Sequence, residues 1–237
     1  MSFPSRTKRR AFTLLEMLVA IGVLAVLVAL LFGVAAGSRG VMDATRCLTN
    51  LRTVGAAMIN YGSENNGIIH HVYAGSFTAG SALNDEAVLW PNLLRRTGYF
   101  TRDEVAALLC RAAPVNPDNV TASHYGFYMA GPYGTHVRDE FKSGVSYRLR
   151  MSQVPRPGAC ILFADSRDAA GHQFVRIYQR PLFEKGGVQI RHRGRAHLFF
   201  LDGHVERADP ARLAELGVPG YYNAEGQPIP LPPTSNP

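Results

Sequence analysis

Lys8-Arg9-Arg10-Ala11-Phe12-Thr13-Leu14-Leu15-Glu16 is the stretch whose reading decides the fold, because solvent preference changes abruptly inside it. Residues 1–11 hold Arg6, Lys8, Arg9 and Arg10 and no acid. Phe12 to Ala36 is then an apolar run of 25 residues in which Glu16 alone is charged. A helix of about 20 apolar residues spans a bilayer. Basic residues before the run place the N-terminus on the cytoplasmic side, with the bulk of the chain across the membrane.

The whole chain sets the bounds around this segment. With 237 residues and 46% apolar content, it has material for one ordinary domain or two small ones. Whole-chain disorder is excluded by that apolar content. Three cysteines exclude a disulfide-rich mini-protein. A mean hydropathy of −0.04 and a single long apolar run exclude a polytopic membrane protein. The formal charge is +7, and the first eleven residues supply four of those positive charges.

Three readings of the N-terminus compete. A secretory signal peptide has these n- and h-regions and could be cut near Val34-Ala35-Ala36. A plain signal anchor explains the hydrophobicity but not Glu16. The preferred reading rests on Arg9 to Glu16, which resembles the processing site of type IV prepilins and type II secretion pseudopilins. That resemblance implies cleavage by prepilin peptidase between Ala11 and Phe12, N-methylation of Phe12, and an assembly role for Glu16 opposite a neighbouring subunit's terminal amine. A carboxylate in apolar surroundings is tolerated when paired. Ala11 stands where the family usually has Gly, and Gly33 where many pilins have a kinking Pro.

Beyond Gly37-Ser38-Gly40 the apolar period turns helical. Val41, Ala44, Leu48, Leu51, Gly55 and Met58 recur at spacings of three and four. Phe12 to Tyr61 contains no proline, so a single long helix is expected, with two helices broken at Gly37–Gly40 as the alternative. Ser63 to Gly67 carries the stop signal. Cys47-Leu48-Thr49-Asn50-Leu51-Arg52 through Glu64-Asn65-Asn66-Gly67 resembles a passage of one pseudopilin-like group.

The remainder predicts a head. Ile68–Tyr73 reads as a strand and 85–96 as a helix with Pro91 near its start. Thr101-Arg102-Asp103-Glu104 is a capping box before Val105 to Leu109. Residues 116–123 read as loop. Segments 159–164, 173–178, 196–201 and 204–207 read as strands, and 210–216 as a short helix. The Pro-rich end reads as a tail. Local helices followed by strands without crossover helices imply α+β. The expected fold class is a long N-terminal helix, half membrane and half soluble, packed on a C-terminal antiparallel β-sheet head, as in pilins. The expected segments are the leader 1–11, a transmembrane or filament-core helix 12–36, the soluble half 37–64, the head 65–217 and the tail 218–237.

Leu201-Asp202-Gly203-His204 joins two of the strands through Asp-Gly, a hairpin signal. His192, nine residues, then Asp202-Gly203 resembles the C-terminal H-x9-D-G motif of a large set of prepilin-type proteins. The strand Cys160 to Asp165 resembles the one that usually precedes it. The preferred structural reading is a hydrogen bond from His192 to Asp202 that pins the hairpin. The second reading is a divalent-cation cluster drawn from Asp165, His192, His197, Asp202 and His204. Calcium would need an oxygen-rich loop, and no acid-dense loop is present. Arg191, Arg193 and Arg195 would share a strand face and could meet phosphate; a solvated face is the alternative. Cys47 and Cys110 are the preferred disulfide pair, with three free thiols as the alternative and Cys160 as a core residue.

No nucleophile elbow, P-loop or H-E-x-x-H motif is present. The expected function is therefore assembly, not catalysis: a subunit of a type II secretion or type IV pilus-like filament in the bacterial inner membrane, single-pass, with the head outside the cytoplasm. Expected partners are prepilin peptidase, other pilin or pseudopilin subunits, the secretion or pilus assembly machinery and membrane lipid, and not nucleic acid; no cofactor is expected. The rival is a membrane-anchored extracytoplasmic metal-binding or enzymatic domain that does not polymerise.

Overall fold

The computed structural model describes residues 13–73, 88–114, 124–128, 136–141, 144–177 and 186–232. The expected leader, Ala11 and Phe12 fall outside these residues. Helix α1 (Leu14–Glu64) is continuous over 51 residues, as expected, and the alternative of a break at Gly37–Gly40 does not occur. It ends where the chain turns left-handed: Asn66 and Gly67 have φ of 57° and 73°. The Gly67 N–H donates to the Gly62 carbonyl at 2.8 Å, satisfying a terminal carbonyl of the helix.

Two compact units divide the chain, Met1–Met42 and Asp43–Pro237. In the first, the described side chains from Thr13 to Ala29 are all exposed, Leu14, Leu24 and Val26 among them. Among the described residues, no helix is long and apolar enough to cross a membrane. The expected span 12–36 reaches into side chains 30–36, which are outside the described set.

In the second unit, α1 turns an apolar face inward. Leu51, Gly55 and Met58 of the expected stripe are buried together with Cys47, Val54 and Tyr61, whereas Ala44 and Leu48 are half-buried and Val41, in the first unit, is exposed. The expected stripe therefore faces the core from Leu51 onward. Each large apolar side chain so buried contributes about 1.5–3 kcal/mol. Among the described residues, three small sheets complete the unit. The first has the order β2 (Val88–Leu89), β1 (Ile68–Tyr73), β5 (Gly144–Arg150), β4 (His136–Phe141). The second runs β11 (Val205–Ala208), β10 (Ala196–Phe200), β6 (Ile161–Ala164), β3 (Gly126–Tyr128), β8 (Arg176–Ile177). The third runs β13 (Pro228–Pro230), β12 (Gly220–Tyr222), β9 (Gly187–Gln189), β7 (Ser166–Arg167).

The fold is α+β. The β2-β1-β5-β4 sheet is antiparallel as expected, whereas the other two are mixed: β3 lies parallel to β8 and β12 parallel to β9. In both cases the partner is brought alongside from a distant part of the chain, which no local turn signal reports. The tail expectation also changes. Residues 220–222 and 228–230 pair antiparallel, and Tyr222 is buried.

Strand β10 organises the core. Its five residues Ala-His-Leu-Phe-Phe are all buried, because both faces of the sheet are covered. Phe199 joins the cluster containing Leu51, Met58 and Phe163. Ala196, Leu198 and Phe200 join a second cluster with Val188, Leu213 and Val218. At Gly55 an added Cβ would lie 2.3 Å from the Phe199 ring, so α1 sits on β10 with no space for a methyl group.

The short helices follow their caps. Helix α2 (Trp90–Arg96) starts at Trp90 with Pro91 in its first turn, later than the expected 85, because Val88 and Leu89 pair with β1. Helix α3 (Arg102–Ala107) has the expected Thr101/Glu104 capping box. Helix α4 (Pro210–Glu215) is capped by Asp209, whose side chain accepts from the Arg212 N–H.

Candidate functional site

The N-terminal feature begins with local hydrogen bonding. Thr13 N–H and Oγ1–H donate to Glu16 Oε2 at 2.8 and 2.9 Å, and the Glu16 N–H donates back to Thr13 Oγ1 at 3.2 Å. This is a capping box. It places a carboxylate at the positive end of the helix dipole. Thr13-Leu14-Leu15-Glu16 contained that signal, which sequence reasoning had not read in this way. Glu16 thus has a partner inside its own chain and opens a helix of exposed apolar residues.

The C-terminal feature centres on Asp165, at the corner where the chain leaves β6 for β7. Its backbone joins two sheets: the Asp165 N–H donates to the His197 carbonyl at 3.0 Å, and its carbonyl accepts from the Gln189 N–H at 2.9 Å. Its Oδ2 accepts from the His197 backbone N–H at 2.8 Å. His192 Nε2 and His197 Nδ1 each lie 3.4 Å from the same Oδ2. The two imidazoles stack at 4.2 Å between centroids. Asp165 and His197 are wholly buried and His192 nearly so.

Burial by itself would raise the Asp165 pKa, but the adjacent His192 imidazole and the nearby Arg191 charge prevail and hold it at about 2. Burial pushes His197 down to about 4, against the pull of Asp165. At neutral pH the cluster therefore contains a carboxylate and a neutral His197.

The expected hydrogen bond from His192 to Asp202 does not form. His192 turns to Asp165, while Asp202 Oδ1 accepts from the His204 N–H at 3.1 Å and lies 2.5 Å from His204 Nδ1. Asp202 and His204 are exposed. The five candidate ligands thus separate into a buried trio (Asp165, His192, His197) and a surface pair. The local reason is turn geometry. Phe200 accepts from the Gly203 N–H at 3.0 Å, and Gly203 has a φ of 92°, so the Asp202-Gly203 turn carries Asp202 outward. A second turn, with φ of 54° at Arg193 and 78° at Gly194, orients His192 inward.

The same turn undoes the expected arginine face. Arg191 points in, its Nη2 donating to Gln189 Oε1 at 2.7 Å and to the Ser166 carbonyl, while Arg193 and Arg195 are exposed. Cys47 and Cys110 are joined as a disulfide, and Cys160 is free and buried. The Tyr125 hydroxyl donates to the Cys47 carbonyl at 2.8 Å, anchoring the helix beside the bridge. Cys110 Sγ lies 3.5 Å from His192 Nε2, so the disulfide borders the buried trio.

Comparison with known proteins bears on the N-terminal feature. Residues 6–32 match the prokaryotic N-terminal methylation motif. The methylation motif is a prepilin-type processing signal and marks the chain as a prepilin-peptidase type of substrate. It spans the capping box and most of the exposed apolar residues of α1. No curated protein and no solved structure matches the chain.

Proposed function

We propose that the chain is a prepilin-like or pseudopilin subunit of a type II secretion or type IV pilus-like filament, a structural protein rather than an enzyme. The observation that carries this reading is the methylation motif at residues 6–32 leading directly into a helix with exposed apolar side chains. An apolar helix surface is stable only in lipid or against other apolar helices. A bilayer meets that need before assembly, and neighbouring subunits meet it afterwards. The basic leader retains the precursor with its N-terminus in the cytoplasm of a bacterial inner membrane. Prepilin peptidase cuts before Phe12 and Phe12 is methylated. Glu16 then exchanges its bonds to Thr13 for the terminal amine of a neighbouring subunit, while the head faces outward.

The test is the mass of the mature N-terminus after co-expression with a prepilin peptidase. N-methyl-Phe12 is the expected product. A terminus near Gly37 would show ordinary signal cleavage and refute the reading.

A further inference from the structure

We propose that Asp165, His192 and His197 form a buried site for one divalent transition-metal ion, with zinc the ion whose ligand chemistry fits best. This site is independent of filament assembly.

The first argument is spacing. Zinc ligand atoms at 2.0–2.1 Å from the ion and tetrahedrally disposed stand about 3.3–3.4 Å from one another. His192 Nε2 and His197 Nδ1 each stand 3.4 Å from Asp165 Oδ2. That is longer than the roughly 2.7–2.9 Å of a charge-assisted hydrogen bond. The three donor atoms all lie within 4.8 Å of one another.

The second argument is unmet hydrogen-bonding capacity. Asp165 Oδ1 and both ring nitrogens of His197 are buried and make no hydrogen bond. Polar groups left unsatisfied in a protein interior are costly. Arg191 does not satisfy them, since its hydrogen bonds go to Ser166 and Gln189. An ion placed by this spacing would use the idle lone pair of His197 Nδ1 together with His192 Nε2 and Asp165 Oδ2. The Asp165 Oδ2 bond from the His197 N–H would remain as outer support of the kind that orients metal ligands.

Donor type selects the metal. Two imidazoles and one carboxylate suit zinc and related ions, whereas calcium and magnesium require more oxygen. The disulfide commits both sulfurs of Cys47 and Cys110, so the oxidised site is N2O with one further position for water. Loading requires the imidazoles, now 14° from parallel, to fan out of their stack until both lone pairs meet one ion.

The experiment uses the full chain in detergent, disulfide intact and stripped with a chelator, titrated calorimetrically with zinc chloride. One tight equivalent per chain is expected. Asp165→Asn and His197→Gln should each weaken it more than about 100-fold, whereas His204→Ala, at the exposed Asp202/His204 pair, should leave it unchanged. If either cluster variant fails to fold, the readout moves to wild-type protein loaded with cobalt(II). A tetrahedral spectrum without a thiolate charge-transfer band supports the site. Failure of the wild type to take up stoichiometric zinc would overturn the proposal. Loss of uptake in His204→Ala would do the same. Uptake that appears only after reduction, with a thiolate band, would assign the ion to Cys47, Cys110 and His192 instead.

Discussion

Replacing Gly55 by Ala should destabilise the head, although the same change in most helices does the reverse. In an open helical position, Gly→Ala gains up to about 1 kcal/mol through backbone entropy. At Gly55 the new Cβ would meet Phe199 Cδ1 and Cε1 at 2.3 Å and Cγ at 2.5 Å. Real Cβ contacts do not come this close, so the ring or the helix must move by about an ångström. Phe199 is fully buried, and close-packed interiors leave few voids for a ring to enter. Overpacking of this kind costs about 1–3 kcal/mol. After the full propensity gain, the net loss is up to about 2 kcal/mol. For a domain of this size that lowers Tm by up to about 8 °C. The assay is thermal unfolding of the full chain in detergent, followed by near-ultraviolet circular dichroism, with Gly40→Ala as control. Gly40 has nothing within 4 Å of an added Cβ and should be neutral or slightly stabilised. A Tm for Gly55→Ala at or above wild type would refute the seating of α1 on β10.

Glu16→Gln preserves a capping-box side chain but removes the charge. It should leave helix formation intact and reduce filament incorporation, scored by co-purification with other subunits; normal incorporation would show that the charge is dispensable. Cys110→Ser opens a cross-link between residues 63 apart in sequence, which the chain-entropy relation values at about 4 kcal/mol. Denaturant unfolding with and without reductant should show that loss, and an unchanged midpoint would exclude the bridge. The metal-free head should also lose stability in mild acid. His124 and His197 are held near 4, each chiefly by burial, against 6.5 for an ordinary histidine. The unfolded chain therefore binds more protons between those values. Stability is full above pH 6.5, falls as pH drops toward 4 by at most about 3 kcal/mol per histidine, and falls further below 3.8 as Asp165 is protonated. Urea midpoints measured from pH 7.5 to 4 would test this, and a flat profile down to pH 4.5 would contradict it.

Features determined by near neighbours were legible. The Thr101/Glu104 cap, the helix stop at Asn66-Gly67, the Asp202-Gly203 hairpin and the short helix after Asp209 each depend on residues within four positions. So does the continuous course of α1, since nothing between Leu14 and Glu64 breaks a helix. Strand β5 was missed although Val145, Tyr147 and Leu149 alternate with polar residues. Segment 173–178, which contains β8, read as a strand, but the pairings of β3 with β8 and of β9 with β12 carried no local signal, because these parallel neighbours lie far apart in sequence.

The candidate sites divide in the same way. Processing chemistry depends on a linear peptide presented to a peptidase, so Arg9 to Glu16 could carry it in sequence, and the methylation motif lies there. The partner of His192 could not be read from spacing. Nine residues separate it from Asp202, but a left-handed turn at Arg193-Gly194 and a second at Gly203 send the two side chains to opposite environments. Asp165, 27 residues earlier in the chain, arrives beside His192 because it marks the corner between two sheets. The sequence by itself determined the apolar helix, its charged entry and the α+β class, all of which follow from local propensity and solvent preference. Only the tertiary structure decided which carboxylate meets the histidines, because burial against distant strands and turn handedness select that partner.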